Sequence, residues 1–164
     1  MTGTAPVERR LRRGLLLAPA IFAAHFLEES PRFVPWFNAH VARGITPDLF
    51  WTVNLTGLVI TVLLVAGVWA TGGDGLLLPM VAWLSFLMLA NAIFHIAGAV
   101  VDRAYVPGLV TAVVLYLPYC GWVAGQVVRS RRLPAVAVAV AAVLGGLPMA
   151  VHGYRILFLG TRLF

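Results

Sequence analysis

The sequence predicts an all-α fold, a polytopic transmembrane helix bundle with about five spans. Hydrophobic residues make up 61% of the 164 positions, and mean hydropathy is +0.93. Only 11% of the residues are charged, whereas about a quarter are charged in a typical soluble domain. The apolar residues fall into long runs separated by Pro, Gly and Arg. We therefore expect a single integral membrane domain over residues 1–164.

The first predicted span covers residues 14–29, which is short because a helix needs about 20 residues to cross a bilayer. Pro31 and Pro35 discourage its continuation. The segment 31–48 mixes aromatic residues with Arg, a composition typical of the membrane interface. We expect it to form an interfacial segment that can cover a site beside the first span.

Turn signals delimit the other four spans. Pro47 and Asp48 start the second span, and the Gly-rich turn 71–75 ends it. A turn at 102–108 separates the third span from the fourth, in which Pro118 predicts a kink. The expected bounds of these spans are 49–70, 76–101, 109–128 and 134–159.

All twelve basic residues are Arg. They lie at the ends of apolar runs, which membrane topology explains, so we expect the lipid bilayer and no nucleic acid as a partner. With five spans, the dense clusters within 9–13 and 129–132 share one side, and a short basic interfacial helix is predicted over 7–13. The other side holds Arg32, Arg43, Arg103, Arg155 and Arg162. This bias predicts a plasma-membrane protein with a cytoplasmic N-terminus and an external C-terminus.

The first span ends in a short polar stretch that contains His25, Glu28 and Glu29. On a helix the imidazole lies three and four residues from the two carboxylates, so all three side chains can share one face. Charged groups are costly beside lipid and should face protein, a partner or water. This stretch is therefore the first candidate for a functional site.

Later spans carry polar residues that are expected at the same level of the bilayer. Asn91 and His95 are four apart late in the third span. His152 and Arg155 are three apart late in the fifth span, and Asn54 lies early in the second. Because the odd spans run one way and the second runs the other, all of these residues fall in the outer half of the membrane. We expect one polar pocket there.

This set of residues predicts a divalent metal site, with zinc first and iron or manganese as alternatives. Imidazole and carboxylate are ligands of these ions, and two or three His with one Glu is a common catalytic zinc set. The predicted ligands are His25, Glu29, His95 and His152.

The predicted reaction is hydrolysis of a lipid-borne or membrane-embedded substrate, with Glu28 as general base. The predicted catalytic residues are Glu28, Glu29, Asn91 and His95. The predicted substrate-binding residues are Asn54, Arg32 and Arg155. The two Arg would hold an anionic head group. The identity of the substrate, the oligomeric state and the division of labour between the two carboxylates stay open.

Two other function classes fit the same residues. A Glu buried among apolar side chains can hold and donate a proton, so a metal-free cyclase or isomerase of an isoprenoid-like substrate would use Glu28 or Glu29. A non-enzymatic membrane carrier or assembly factor would use them as a proton relay. His25 and its carboxylates can also be only a polar clasp between helices.

Three stretches occur in order: HFLEE at 25–29, NAIFH at 91–95, and YVPGL at 105–109 followed by Pro118. Together they resemble the HXXEE family of small multi-pass membrane proteins of unknown function. The resemblance covers the chain from the first span into the fourth. It implies a small membrane protein without a settled activity. It also implies functional roles for His25, Glu28, Glu29, Asn91 and His95.

Overall fold

The computed structural model describes residues 4–41, 44–73 and 75–159. Within those ranges the chain is helical and has no strand, so the all-α prediction is confirmed. The helices are α1 (Thr4–Leu15), α2 (Ala18–Glu29), α3 (Phe33–His40), α4 (Pro47–Thr71), α5 (Leu77–Asp102), α6 (Leu109–Arg129) and α7 (Ala135–Leu159). Arg43, Asp74 and Arg162, which enter the orientation and turn predictions, lie outside the described residues.

Helices α4 to α7 are long and apolar enough to cross a membrane, which supports the multi-pass prediction. Their bounds agree closely with the last four predicted spans. The Thr46 side chain accepts a hydrogen bond from Leu49 N–H at 3.1 Å and so caps the start of α4. Gly72, with a φ of +70°, supplies the left-handed residue that ends it.

The first predicted span, 14–29, is not one continuous membrane-crossing helix. Leu17 N–H bonds to Gly14 O at 3.0 Å in a turn, and α2 then begins with Pro19 in its first turn. Proline suits that position because it has no N–H to satisfy. The twelve residues of α2 give a helix of about 18 Å, shorter than a hydrocarbon core of about 30 Å. The described residues include four helices long enough to span a membrane, so the orientation that assumed five spans stays a prediction.

The main apolar core lies between α1, α2, α4, α5 and α6. Helix α7 packs against one side of α5. Gly145 lies so close to Ala82 there that an added Cβ would overlap the Ala82 backbone. The Ser85 hydroxyl donates to Ala142 O at 2.5 Å across the same contact. Small residues therefore let these two helices approach closely, as is common in membrane bundles.

Helices α5 and α6 each contain a π-helical segment, at Ser85–Ala90 and Ala112–Tyr116. Such segments are rare and occur frequently at functional sites. Pro118 follows the second segment, and its missing N–H and its ring disfavour a regular α-turn just before it. An extra residue in a turn rotates the side chains that follow by about 100°. The two segments therefore help to set the directions of the side chains at the site.

Candidate metal centre

Three buried side chains from two helices meet at one end of the bundle. They are His25 and Glu29 on α2 and His95 on α5, with exposed fractions of 0%, 4% and 0%. Glu29 Oε1 lies 3.5 Å from His25 Nε2 and 3.1 Å from His95 Nε2. One ligand atom from each residue falls within 4.8 Å of the others, an arrangement that can hold a metal ion. We call these three residues the His/Glu cluster.

The close approach of His95 to Glu29 is not a hydrogen bond. His95 Nε2 is 3.1 Å from Glu29 Oε1, yet neither nitrogen of His95 has a hydrogen-bond partner among the described residues. The separation suits a hydrogen bond, but the alignment does not. Atoms that bind a tetrahedral zinc at its usual distances lie about 3.4 Å apart. Both measured separations are close to that value, so the group could hold a metal ion.

A chain of hydrogen bonds fixes the tautomer of His25. The Thr111 hydroxyl, in the first turn of α6, donates to Glu28 Oε2 at 2.5 Å and lies 2.8 Å from His25 Nδ1. A hydroxyl has one hydrogen, and here the carboxylate is its nearer acceptor, so the Thr111 oxygen accepts from Nδ1–H. The lone pair of neutral His25 is then on Nε2, the atom that faces the cluster. Metal-binding His residues are usually held in this way through their other nitrogen.

Glu28 is bound to the start of α6 and is not part of the cluster. Its carboxylate accepts hydrogen bonds from the N–H groups of Val110 (3.1 Å) and Thr111 (2.8 Å) and from the Tyr105 hydroxyl (2.5 Å). N–H groups in a first helical turn lack partners within the helix and favour a negative charge. Burial and the hydrogen bond to Glu28 raise the pKa of Tyr105 to about 12, so the phenol stays a donor at neutral pH. Glu28 therefore fastens α2 to α6.

Gly108 brings the turn before α6 directly onto the His/Glu cluster. Its φ is +92°, a left-handed conformation that glycine adopts without a steric penalty. A Cβ at this position would lie 2.8 Å from His95 Cε1 and 2.9 Å from both His25 Cε1 and Glu29 Cγ. The backbone of this turn thus covers all three side chains, and it leaves no room for any residue larger than glycine.

Two further polar groups flank His25. The side-chain nitrogen of Asn91 lies 3.1 Å from His25 Nε2. The Tyr116 ring packs on the imidazole with centroids 4.3 Å apart. The Tyr116 hydroxyl is buried and has no hydrogen-bond partner among the described residues. Because buried polar groups are nearly always paired, this hydroxyl is a candidate contact for a bound molecule.

Helix α3 lies over the His/Glu cluster. The Phe33 ring lies 6.1 Å from the His95 ring, centroid to centroid. The Trp36 indole N–H donates to Asp102 Oδ2 at 3.0 Å and so ties α3 to the end of α5. This helix falls within the segment 31–48, which the sequence predicts to be interfacial and able to cover a site beside the first span.

His152, the fourth predicted ligand, is not a member of the described group that can hold a metal ion. Its neighbour Gly153 faces Phe94, because a Cβ at Gly153 would lie 3.0 Å from the Phe94 ring. This contact places α7 against α5 beside His95, and the role of His152 as a fourth ligand stays a prediction.

The three predicted substrate-binding residues are not members of the His/Glu cluster. Asn54 donates to Phe50 O of its own helix at 2.9 Å. Arg32 is exposed, and its charge acts on Tyr105. Arg155 is half-buried on α7. The substrate-binding roles of these residues stay predictions.

Sequence reasoning missed the roles of two residues that shape the site, Gly108 and Thr111, and gave Tyr116 only as an aromatic residue that could line a metal-free site. Gly108 lies within the YVPGL stretch, which predicts a turn, and Thr111 lies two residues after that stretch. Tyr116 lies in an otherwise apolar run and carries no polar spacing signal. Only the packing of α6 on α2 shows their roles, although a Thr in the first turn of a helix is a weak signal for side-chain hydrogen bonding.

Replacing Thr111 with valine is expected to weaken zinc binding about 10–100-fold, the usual effect of removing an outer partner of a ligand. Valine keeps the shape and the backbone N–H bond to Glu28 but removes the hydroxyl that orients His25. Thr111→Ser restores the hydroxyl and serves as the control. Competition for zinc against a chromogenic chelator measures the change, and equal affinities for the valine and serine variants would contradict the role assigned to Thr111.

Comparison with protein families gives one match, described as "Protein of unknown function with HXXEE motif", over residues 16–123. The matched region contains all three members of the His/Glu cluster together with Glu28, Asn91 and Thr111. No curated protein and no solved structure matches the chain.

Proposed function

The chain belongs to the HXXEE family of proteins of unknown function, and we propose that it is a divalent-metal-dependent membrane enzyme. The proposed reaction is hydrolysis of a lipid-borne or membrane-embedded substrate. One observation carries the proposal: two imidazoles and one carboxylate converge, fully buried, at separations that suit a single zinc ion. Iron or manganese can take the same ligand types.

Burial of the His/Glu cluster favours a bound ligand, because a ligand would offset the free-energy cost of removing the Glu29 carboxylate from water. A carboxylate out of water is expensive unless it is paired and hydrogen-bonded. Glu29 has two imidazoles beside it, but the His95 contact lacks hydrogen-bond alignment. A divalent cation between these atoms would satisfy all three residues at once, which a simple polar clasp would not do.

Asn91 is well placed to complete the coordination or to orient a substrate oxygen. Its amide nitrogen lies 3.1 Å from His25 Nε2. Turning the amide by 180° exchanges nitrogen and oxygen in that position. The oxygen could then supply a fourth ligand beside His25, Glu29 and His95.

The roles of the two carboxylates differ in this proposal. Glu29 is a metal ligand, whereas Glu28 is fixed by hydrogen bonds from α6 and positions His25 through Thr111. This arrangement favours a positioning role for Glu28 over the general-base role given to it from sequence. The buried Tyr116 hydroxyl is the group that we place next to the reacting atoms. A bound metal would supply Lewis-acid polarisation of a substrate oxygen.

A lipid-like substrate fits the surroundings of the site. The cluster is enclosed by helices whose outer surfaces are apolar, and Leu27, which lies two residues from both His25 and Glu29 on α2, is 57% exposed. Movement of α3 away from His95 would open the site toward the end of the bundle. Arg32, exposed near Tyr105, could then meet an anionic head group.

The test is hydrolysis by the purified full chain in mixed lipid–detergent micelles. After zinc loading, the protein is given alkyl amphiphiles that carry a carboxylic ester, a phosphoester or an amide. We expect turnover of at least one class, lost on chelation, restored by zinc and abolished by His95→Ala. The exposed His40 provides the control variant, His40→Ala, which should retain activity.

Other outcomes of this experiment favour the alternatives. Hydrolysis that survives chelation but is lost in Glu29→Gln would indicate metal-free acid–base catalysis, the chemistry of the cyclase or isomerase class, which the unpartnered Tyr116 hydroxyl on a ring packed against His25 favours. Stoichiometric zinc without turnover of any amphiphile would indicate a metal carrier or an assembly factor.

A further inference from the structure

A second candidate binding site lies far from the His/Glu cluster, between α1 and α6. An open cavity of about 470 Å³ is lined by Arg9, Arg10, Arg13, Gly14, Leu17 and Trp122. That volume is in the usual range for small-molecule sites, about 300–1,000 Å³. Trp122 lies eleven residues after Thr111, or about 17 Å along the helix, so this cavity is at the opposite end of α6 from the metal centre. We call it the arginine groove.

The arginines of α1 divide into two groups. Arg12 faces the bundle, where its guanidinium donates to Trp69 O at 2.7 Å and lies 4.6 Å from the centre of the Trp69 ring. Arg9, Arg10 and Arg13 instead line the groove, and they are exposed. Helix packing therefore accounts for Arg12 and leaves the other three without a structural role.

Positive charge in the arginine groove is not balanced by the protein. Among the described residues, no carboxylate lies within ion-pair distance of Arg9, Arg10 or Arg13. The acid that precedes them, Glu8, pairs with Arg132 at 3.0 Å. Three guanidinium groups around one cavity without a counter-charge fit a ligand with a negative charge, and guanidinium binds phosphate in a bidentate manner.

The floor of the groove is apolar. An added Cβ at Gly14 would overlap the Trp122 ring, so the indole lies directly on the α1 backbone. Leu17, which is 55% exposed, continues this surface toward α2. A basic rim beside an apolar floor and a Trp matches an amphiphile whose head group lies at the membrane interface.

We propose that the arginine groove binds the phosphate head group of an anionic phospholipid, with the acyl chains along the Leu17 surface. Anionic lipids and basic residues are both enriched at the cytoplasmic face of membranes. This location agrees with the cytoplasmic N-terminus predicted from the Arg distribution. The proposal does not depend on the metal centre or on any activity.

Native mass spectrometry of the detergent-purified full chain tests the proposal. We expect retention of phosphatidylglycerol over phosphatidylcholine with the same acyl chains. The triple variant Arg9→Gln, Arg10→Gln, Arg13→Gln should bind phosphatidylglycerol about 100-fold more weakly, because each Arg near an anionic head group contributes about fivefold. Retention in detergent is measured without insertion into a bilayer, so a change in membrane orientation does not affect the result.

A second triple variant, Arg103→Gln, Arg129→Gln, Arg131→Gln, removes the same charge outside the groove and should retain the lipid. Equal retention of the two lipids by the wild type would overturn the proposal. So would equal loss of phosphatidylglycerol in the two triple variants, or binding that free inorganic phosphate displaces completely at millimolar concentration.

Discussion

Zinc affinity is expected to fall by more than about 100-fold when Glu29 is replaced with glutamine, since even the outer partners of a ligand are worth about 10–100-fold. Oxygen Oε1 of Glu29 is the atom that both imidazoles approach, at 3.5 Å and 3.1 Å. Glutamine keeps the shape of the side chain but removes its charge. Zinc titration of the purified full chain, followed by calorimetry, measures the loss.

Stability of the metal-free protein separates a metal centre from a structural clasp. If His25, Glu29 and His95 only hold helices together, removing the acid should destabilise the protein by about 3–5 kcal/mol, as for other broken buried pairs. If they form a metal site, the metal-free protein carries the cost of a buried carboxylate, and Glu29→Gln should leave its stability unchanged or raise it. Thermal unfolding in chelator distinguishes these outcomes.

Glu8→Gln is the matched control for this experiment. It removes the same charge from an ion pair with Arg132 that is distant from the cluster. We expect wild-type zinc affinity in this variant. A similar loss of zinc affinity in Glu8→Gln and Glu29→Gln would mean that overall charge, and not the cluster, determines binding.

Replacing Gly108 with alanine is expected to cause the second large effect. A non-glycine residue in the left-handed region costs about 1–3 kcal/mol when the surroundings enforce it. The new methyl group would also lie 2.8–2.9 Å from His95, His25 and Glu29. These ligands would have to move apart, so we expect zinc affinity to fall at least about 10-fold in addition to the loss of stability.

Gly75→Ala is the control for the stability cost of placing alanine in a left-handed backbone conformation. The Gly75 φ of +73° is also left-handed, but an added Cβ would meet nothing within 4 Å. Gly75→Ala should therefore lose stability and keep its zinc affinity. If the two alanine variants bind zinc equally well, the close packing of the 102–108 turn on the cluster has no functional consequence.

The sequence was sufficient to predict the helices and two pairs of site residues. Hydropathy and turn residues located α4 to α7 closely. Helical spacing alone placed His25 on the same face as Glu29, and His95 on the same face as Asn91. These are short-range relations within one helix, which periodicity determines directly.

Relations between helices could not be predicted in this way. A bilayer level shared with His95 predicts His152 as a ligand, but a shared level does not specify a shared face, and the described group that can hold a metal ion consists of His25, Glu29 and His95. Tyr116, which packs on His25, ends a π-helical segment of α6 that no spacing pattern in the sequence predicts. The turn that ends at Leu17 and Pro19 in the first turn of α2 interrupt the first predicted span. Hydropathy averaged over a window does not show such a local break.

Zinc-edge X-ray absorption spectroscopy of the zinc-loaded full chain is the decisive experiment on the metal centre. We expect one zinc per chain with only nitrogen and oxygen ligands, a scattering signature of two imidazoles, and loss of that signature in His25→Ala. Zinc below stoichiometric amounts, a sulfur ligand from Cys120, or a spectrum that His25→Ala leaves unchanged would contradict the proposed metal centre.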